Sequence, residues 1–533
     1  MTEFGGPPRQ NWGTRLGVIL AVTGSAVGLG NFLRFPGLAA QYEGGAFMIP
    51  YFIALLLLGL PIAWAEWAMG RYGGRHGYNS PPGIFRAIWK SPLAPYVGAF
   101  SSLVPVIIYM YYIHVEGWCL AYAWFYATGS MGERAADVDG YGNLLGQMFG
   151  GGADGDLFNQ AAKSGLWFIL ISFVVNFILI YRGLNKGIEW FAKIAMPALI
   201  LCAVIIVVRV LTLPANPDNP DQNVINGLAF MWNPNWQSLG NAQMWIDATG
   251  QIFFSLSVGF GLIVTYASYV RDDDDIALSA TTSAAGNEFC EVALAGMMII
   301  PASFIFLGEQ ATAKIGGSSL ALGFVTLPDV FAQMPGGNIF GFLFFALLFL
   351  AAVTSSLSML QPSIAMFEEG LGLGRKASVT LLSFIALCGA AFIGYFSADA
   401  AVLDHTDFWV GNFALYALAT VLVLVFGWVL GIEKGKQELD RGAEMRIPGF
   451  IMILIKYVSP VYLIGVFAAW VYQAAIKPPG EGAESRIQAL AENSRAQMAV
   501  GLIIVVAILF MLLVHIAERR WRRMEQQTTE VSP

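Results

Sequence analysis

Gly24-Ser25-Ala26-Val27-Gly28-Leu29-Gly30-Asn31 places three glycines in eight residues, in the middle of an apolar run from Leu16 to Ala40. Each glycine inside a helix costs about 1 kcal/mol relative to alanine, so such a run predicts a helix that breaks halfway. The theme returns at Ser257-Val258-Gly259-Phe260-Gly261, within a second apolar run from Trp245 to Tyr269. Both stretches carry valine, glycine, a large apolar residue and glycine, at Val27–Gly30 and Val258–Gly261. A single glycine pair is readily explained by close helix packing. Two interruptions at matching places in two halves of a chain, each beside hydroxyl or amide residues, point to a transporter binding site.

The surroundings of these two runs set the fold class. Of the 533 residues 56% are hydrophobic and 12% charged, about half the charged share of roughly 25% in soluble domains. Apolar runs long enough to cross a bilayer recur throughout, centred on Leu16–Ala40, Gly45–Met69, Val97–Tyr126, Gly165–Tyr181, Ile194–Leu213, Trp245–Tyr269, Ser283–Leu307, Ile339–Met366, Val379–Phe396, Phe408–Leu430, Phe450–Val471 and Met498–Ile516. The reading is an all-α polytopic membrane protein of about twelve transmembrane helices, forming one domain over 1–533.

Basic residues collect before the first run, at Arg71, Arg75, Arg86 and Lys90, at Arg182 and Lys186, and at Arg519, Arg520, Arg522 and Arg523. The positive-inside rule makes those faces cytoplasmic, with both termini inside and an even number of spans. The acidic stretch Asp272–Asp275 dissents, although acidic residues weigh little in orientation. No cleavable leader is expected from the polar start with Arg9, Asn11 and Arg15. The net charge of -7 is spread over loops without a basic block, which excludes nucleic acid as a partner. Cys119, Cys202, Cys290 and Cys388 sit singly in apolar runs and predict neither disulfide nor metal cluster. His76, His114, His405 and His515 are scattered and no nucleophile stands beside a base, so an enzyme is not expected.

A helix broken at membrane depth frees backbone groups that hydrocarbon cannot satisfy. Freed carbonyls suit a desolvated cation, and freed amides at the start of the second half-helix suit a carboxylate. A zwitterion together with a small alkali cation meets both demands. Asn31, Ser255, Asn287, Thr354 and Ser355 add neutral oxygens in otherwise apolar runs, and the interrupted stretches hold no carboxylate. That favours a monovalent ion, since calcium and magnesium recruit several carboxylates.

Longer motifs now carry a resemblance. Trp12-Gly-Thr-Arg-Leu-Gly, Ala26-Val-Gly-Leu-Gly-Asn-Phe-Leu-Arg-Phe-Pro36, Gly44-Gly-Ala-Phe-Met-Ile-Pro-Tyr51, Glu66-Trp-Ala-Met-Gly-Arg-Tyr-Gly73, Gly250-Gln-Ile-Phe-Phe254 and Thr265-Tyr-Ala-Ser-Tyr-Val-Arg271 follow one another along the chain. Together they resemble the neurotransmitter:sodium symporter family, in its bacterial amino-acid branch of LeuT type. The resemblance implies two inverted five-helix repeats, 1–213 and 240–430, followed by two accessory helices within 450–516. It also implies a sodium-coupled symporter of neutral, largely apolar L-amino acids that works by alternating access in a bacterial inner membrane.

Carried over residue by residue, the resemblance implies two sodium sites. One comprises Ala26, Asn31, Ser255, Asn287 and the substrate carboxylate; the other comprises Gly24, Val27, Ala351, Thr354 and Ser355. The substrate backbone falls to Tyr112 and the amides near Leu29 and Gly30, with carbonyls of Ala26, Phe254 and Ser257 around the amino group. Ser25, Ile108, Phe254, Ser257, Phe260, Ser355 and Met359 line the side-chain pocket, with Ser255 alongside. Gly28 stands where amine carriers of the family have an aspartate, which implies a substrate that brings its own carboxylate. Glu291 stands where chloride-dependent relatives have a serine, which implies chloride independence and a candidate proton site; an intramembrane carboxylate is a functional candidate in any case. Arg34 with Asp407 is the implied outer gate and Tyr112 over Phe254 the aromatic lid. Arg9 with Glu369, supported by Trp12 and Tyr269, is the implied inner gate.

Two alternatives follow from the same residues. A chloride-dependent amine carrier is disfavoured by Gly28 and Glu291, and a sensor that binds without cycling is disfavoured by the presence of both charged gates.

Overall fold

A computed structural model of the chain describes residues 11–161, 163–308, 318–396, 400–476 and 485–531. Ten of the expected spans are continuous helices. Span two is Gly45–Arg75, three Ala94–Ala127, five Leu184–Leu211, seven Ile276–Leu307, eight Gly337–Gly370, nine Arg375–Tyr395, ten Ala401–Asp440, eleven Gly449–Trp470 and twelve Ser494–Arg523, with the shorter Leu166–Tyr181 as span four. Spans one and six are each two half-helices. Span one runs Arg15–Ala26 and Gly30–Gln41, bent by 47°; span six runs Ala242–Leu256 and Leu262–Ala267. The fold is therefore the all-helical, twelve-span architecture expected from the apolar runs, with breaks at the two glycine-rich stretches.

Side-chain exposure follows the solvent. Leu201 (61% exposed) on span five and Val505 (65%) on span twelve turn large apolar groups outward, where a bilayer and not water is the matching medium. The chain is an integral membrane protein. Spans three and eight lie side by side as the central pair, and the first half of span one packs against spans five, seven and eight. Span six lies along span two, its first half against Gly45–Ala54 and its second against Leu60–Arg75.

Helix ends depart from the apolar runs for a local reason. Span seven begins at Ile276, seven residues before the run at Ser283, because the Asp275 carboxylate accepts the Leu278 amide at 2.8 Å and caps the first turn. Past Leu430 the chain turns at Gly431 (φ 86) into the helix Ile432–Asp440, where Glu438 bonds Arg71 at 3.0 Å and Arg75 at 2.9 Å. Hydropathy ends where charge begins, but a polar turn stays helical when its charges find partners on a neighbouring span.

Candidate functional site

The break in span one begins at Val27, which is extended (φ -72, ψ 97) while its amide still donates to the Thr23 carbonyl. The helix restarts at Gly30 in a wide turn over Gly30–Arg34. Between the two, the Gly28 amide donates to Asn31 Oδ1 at 2.8 Å, so a side chain closes the ring that the backbone has abandoned. A β-carbon at Gly28 would lie 3.0 Å from Ser355 Oγ and 3.5 Å from the Tyr112 hydroxyl. The absence of a side chain there lets span one approach Tyr112 of span three and Ser355 of span eight closely.

In span six the chain turns left-handed at Ser257 (φ 53), Gly259 (φ 85) and Gly261 (φ 79), a conformation glycine adopts without steric cost. The two breaks are joined to each other. Ser257 Oγ donates to the Ser25 carbonyl at 2.9 Å, and Ser355 Oγ donates to the same oxygen at 3.3 Å. The Gly259 amide donates to Glu66 Oε1 of span two at 2.5 Å. Glu66 is fully buried and belongs to the motif Glu66–Gly73, yet no role was assigned to it from sequence. Its signal was available as a carboxylate within an apolar span.

Side chains from three spans then converge. Asn31 Nδ2 donates to Asn287 Oδ1 at 2.9 Å, to Glu291 Oε2 at 3.0 Å and to Ser255 Oγ at 3.3 Å. Asn287 Nδ2 reaches Ser255 Oγ at 2.5 Å, Ser255 donates to Glu291, and Gln251 Nε2 holds the other Glu291 oxygen at 2.5 Å. Asn31, Ser255, Asn287 and Glu291 are all buried. Asn31, Ser255 and Asn287 of the first predicted set are thus brought together with Glu291, and Gln251 is a member of the cluster that sequence reasoning missed.

Of the second predicted set, Gly24, Ala351 and Thr354 are brought together. Gly24 presses on Thr354, whose Oγ1 donates to the Ala351 carbonyl at 2.9 Å, one residue before Ser355. Val27 is buried at the end of the same half-helix. Ser25, Ala26, Leu29, Ile108, Ser257, Phe260, Ser355 and Met359 are buried around the breaks, and Gly30, Tyr112 and Phe254 are half-buried. The Tyr112 hydroxyl and Ser355 Oγ both lie beside Gly28.

The gates differ between the two ends. Trp12 is buried, its indole donating to the Tyr266 carbonyl at 2.9 Å and its amide to the Tyr269 carbonyl at 3.1 Å, so Trp12 and Tyr269 meet as expected. Arg9 lies outside the described residues. Its expected partner Glu369 accepts from the Asn79 amide (2.6 Å), the Ser80 amide (2.8 Å) and Ser80 Oγ (2.9 Å). Glu189 of span five holds the start of span one, accepting the Gly13 amide at 2.8 Å and Thr14 Oγ1 at 2.9 Å. At the opposite end no ion pair joins Arg34 to Asp407 among the described residues. Asp407 accepts from the Tyr111 hydroxyl at 2.6 Å, and the Arg34 guanidinium lies over the Phe254 ring at 4.5 Å. Arg34, not Tyr112, covers Phe254, and the edge of Phe260 completes its aromatic contacts at 6.1 Å. A charge pair forms only when the two helix ends approach, and Asp407 and Arg34 each face another partner here.

The sequence model of the Sodium:neurotransmitter symporter family matches residues 9–135 and 159–517, most of the chain and every residue of the two breaks. The chain belongs to this family. As a symporter family member it is a sodium-dependent transporter and not an enzyme. An uncharacterized sodium-dependent transporter of Methanocaldococcus jannaschii is 29% identical over 474 residues, covering 86% of this chain and 89% of that one. The sodium-dependent serotonin transporter of Drosophila melanogaster is 27% identical, covering 86% and 76%. Among solved structures, MhsT in complex with L-phenylalanine superposes with a TM-score of 0.73 at 28% identity, covering 87% of this chain and all of that one. The symporter's broken spans are thus set in the same helical frame as a protein that holds an amino acid.

Proposed function

We propose that this symporter carries a neutral, largely apolar L-amino acid together with sodium, without needing chloride. The observation that carries the reading is the setting of Gly28. It is flanked by the Tyr112 and Ser355 hydroxyls and by the Ala26 carbonyl, with no acidic side chain among its nearest neighbours to pair an amine. Such a site favours a ligand that brings its own carboxylate to the amides and its ammonium to the carbonyls. Ile108, Phe254, Phe260 and Met359 offer an apolar wall for its side chain.

Two sodium ions travel with the substrate in this reading. Ala26, Asn31, Ser255, Asn287 and the substrate carboxylate hold one, and Gly24, Val27, Ala351, Thr354 and Ser355 hold the other. The neutral oxygens of both sets suit a monovalent cation. Glu291, bonded to Ser255 and Asn31, supplies beside the first ion the negative charge that chloride would otherwise bring. The repeats 1–213 and 240–430 rock about these breaks, with 450–516 as accessory helices, both termini cytoplasmic and the cell membrane of a bacterium as the setting.

Uptake into proteoliposomes tests the proposal. An inward sodium gradient should accumulate a labelled branched-chain or aromatic amino acid equally in chloride and gluconate. Equal uptake with potassium in place of sodium refutes the coupling, and binding without flux refutes transport.

A further inference from the structure

One helical turn along span three from Tyr112 lies a polar centre that neither the ion nor the substrate sites use. Glu116 is fully buried. Both of its oxygens accept from Asn176 Nδ2 of span four, at 3.0 and 3.1 Å, and Oε2 also accepts from Ser356 Oγ of span eight at 2.5 Å. Asn176 is equally buried, and its Nδ2 also points to the Tyr109 hydroxyl at 3.4 Å. The titratable groups facing this centre are Tyr109, Tyr112 and Cys119, all on span three; spans four and eight present only Asn176 and Ser356. His114, two residues away, is bonded through Nε2 to the Ala390 carbonyl of span nine. Every partner of Glu116 is neutral.

An ionised carboxylate buried at membrane depth without a counter-charge is held only at a cost of several kcal/mol. The hydrogen bonds show a second imbalance. With Glu116 purely an acceptor, Asn176 Oδ1 is a buried carbonyl oxygen without any donor, which is itself unfavourable. A carboxylic acid removes the uncompensated charge and supplies the carbonyl oxygen with a donor. A half-turn of the Asn176 amide exchanges Nδ2 and Oδ1 at the same positions, and the acid proton then has the carbonyl as its acceptor.

We propose that Glu116 is a proton-binding site, occupied in this conformation, whose acid hydrogen bond ties span four to the two spans that carry Tyr112 and Ser355. The step is simple protonation of a carboxylate by a proton from bulk water, giving a neutral acid. Its placement couples it to transport. Glu116 follows Tyr112 by four residues and so lies on the same helix face, and Ser356 adjoins Ser355. Loss of the proton leaves a bare charge that the junction of spans three, four and eight accommodates only by admitting water, so transport should decline on the alkaline side.

The test uses the full chain in proteoliposomes and the variant Glu116→Gln, whose amide is neutral and keeps a donor and an acceptor. The expected result is uptake within about twofold of wild type near neutral pH, with the alkaline decline of wild type absent. Infrared spectra of wild type minus variant at neutral pH should show a protonated-carboxyl carbonyl band. Three results overturn the proposal: ionised-carboxylate bands alone in that difference, a flat wild-type pH profile, or an alkaline decline unchanged in the variant. A fourth is loss of uptake in a Glu116→Gln protein that still binds sodium, with Glu116→Asp active, because that pattern requires the charge.

Discussion

Glu66 of span two accepts the amide of Gly259 in the break of span six at 2.5 Å, across 193 residues of sequence. The bond satisfies a backbone donor that the left-handed turn at Gly259 has released from its helix. Removing the acceptor in Glu66→Ala leaves that amide unpaired at a cost of about 1–3 kcal/mol. Substrate affinity should fall by roughly tenfold or more, while Glu66→Gln, which keeps a carbonyl oxygen in place, retains most of it. Equilibrium binding of a labelled amino acid to purified protein measures both, and equal losses in the two variants would count against the role.

Glu291 predicts the ion requirement. Glu291→Ser removes the buried negative charge and leaves the Asn31 and Gln251 amides pointing at the space it filled. Sodium-driven uptake by the variant should drop at least about tenfold in gluconate and recover when chloride is added, whereas wild type should not distinguish the two anions. A variant indifferent to chloride argues against an anion function at this position.

Gly28 predicts the substrate class. Gly28→Asp puts a β-carbon 3.0 Å from the Ser355 hydroxyl and adds a carboxylate where the carboxylate of an amino acid is assigned. Like charges in one small site repel, so amino-acid uptake should fall by at least about a hundredfold. The corresponding decarboxylated amine should gain affinity in a competition assay. Retained amino-acid uptake would show that the substrate lies elsewhere.

Glu189 predicts how the Trp12 end stays shut. A β-carbon at Gly17 would approach Glu189 Oε1 to 2.2 Å, so Gly17→Ala must push the carboxylate off Gly13 and Thr14. Glu189→Gln should weaken the same contacts by about 1 kcal/mol each. Hydrogen exchange followed by mass spectrometry should show faster exchange over residues 13–18 in each variant. The double variant should be little worse than either single one, because both act on one contact. Additive effects would separate Gly17 from Glu189.

The twelve spans were legible because apolar length is a local property, and both breaks were legible because glycine weakens a helix wherever it stands. The donor sets could be carried over because Asn31, Ser255, Asn287, Thr354 and Ser355 lie within motifs whose residue types announce their chemistry. The gates were legible only as residue types. Arg34 and Asp407 are the right charges, yet whether they touch depends on how far two helix ends have moved. Sequence did not show that the Glu369 carboxylate also takes the amides of Asn79 and Ser80.

By itself, the order of residues determined a bundle of membrane helices, two of them bound to unwind at Gly28 and Gly259, since periodicity, hydropathy and glycine content act over a few neighbouring positions. Tertiary structure alone decided that Glu66 reaches Gly259, that Glu189 holds Thr14, and that Glu116 meets only neutral donors. A buried carboxylate takes its state and its work from partners on other helices, and those partners are chosen by packing across hundreds of residues.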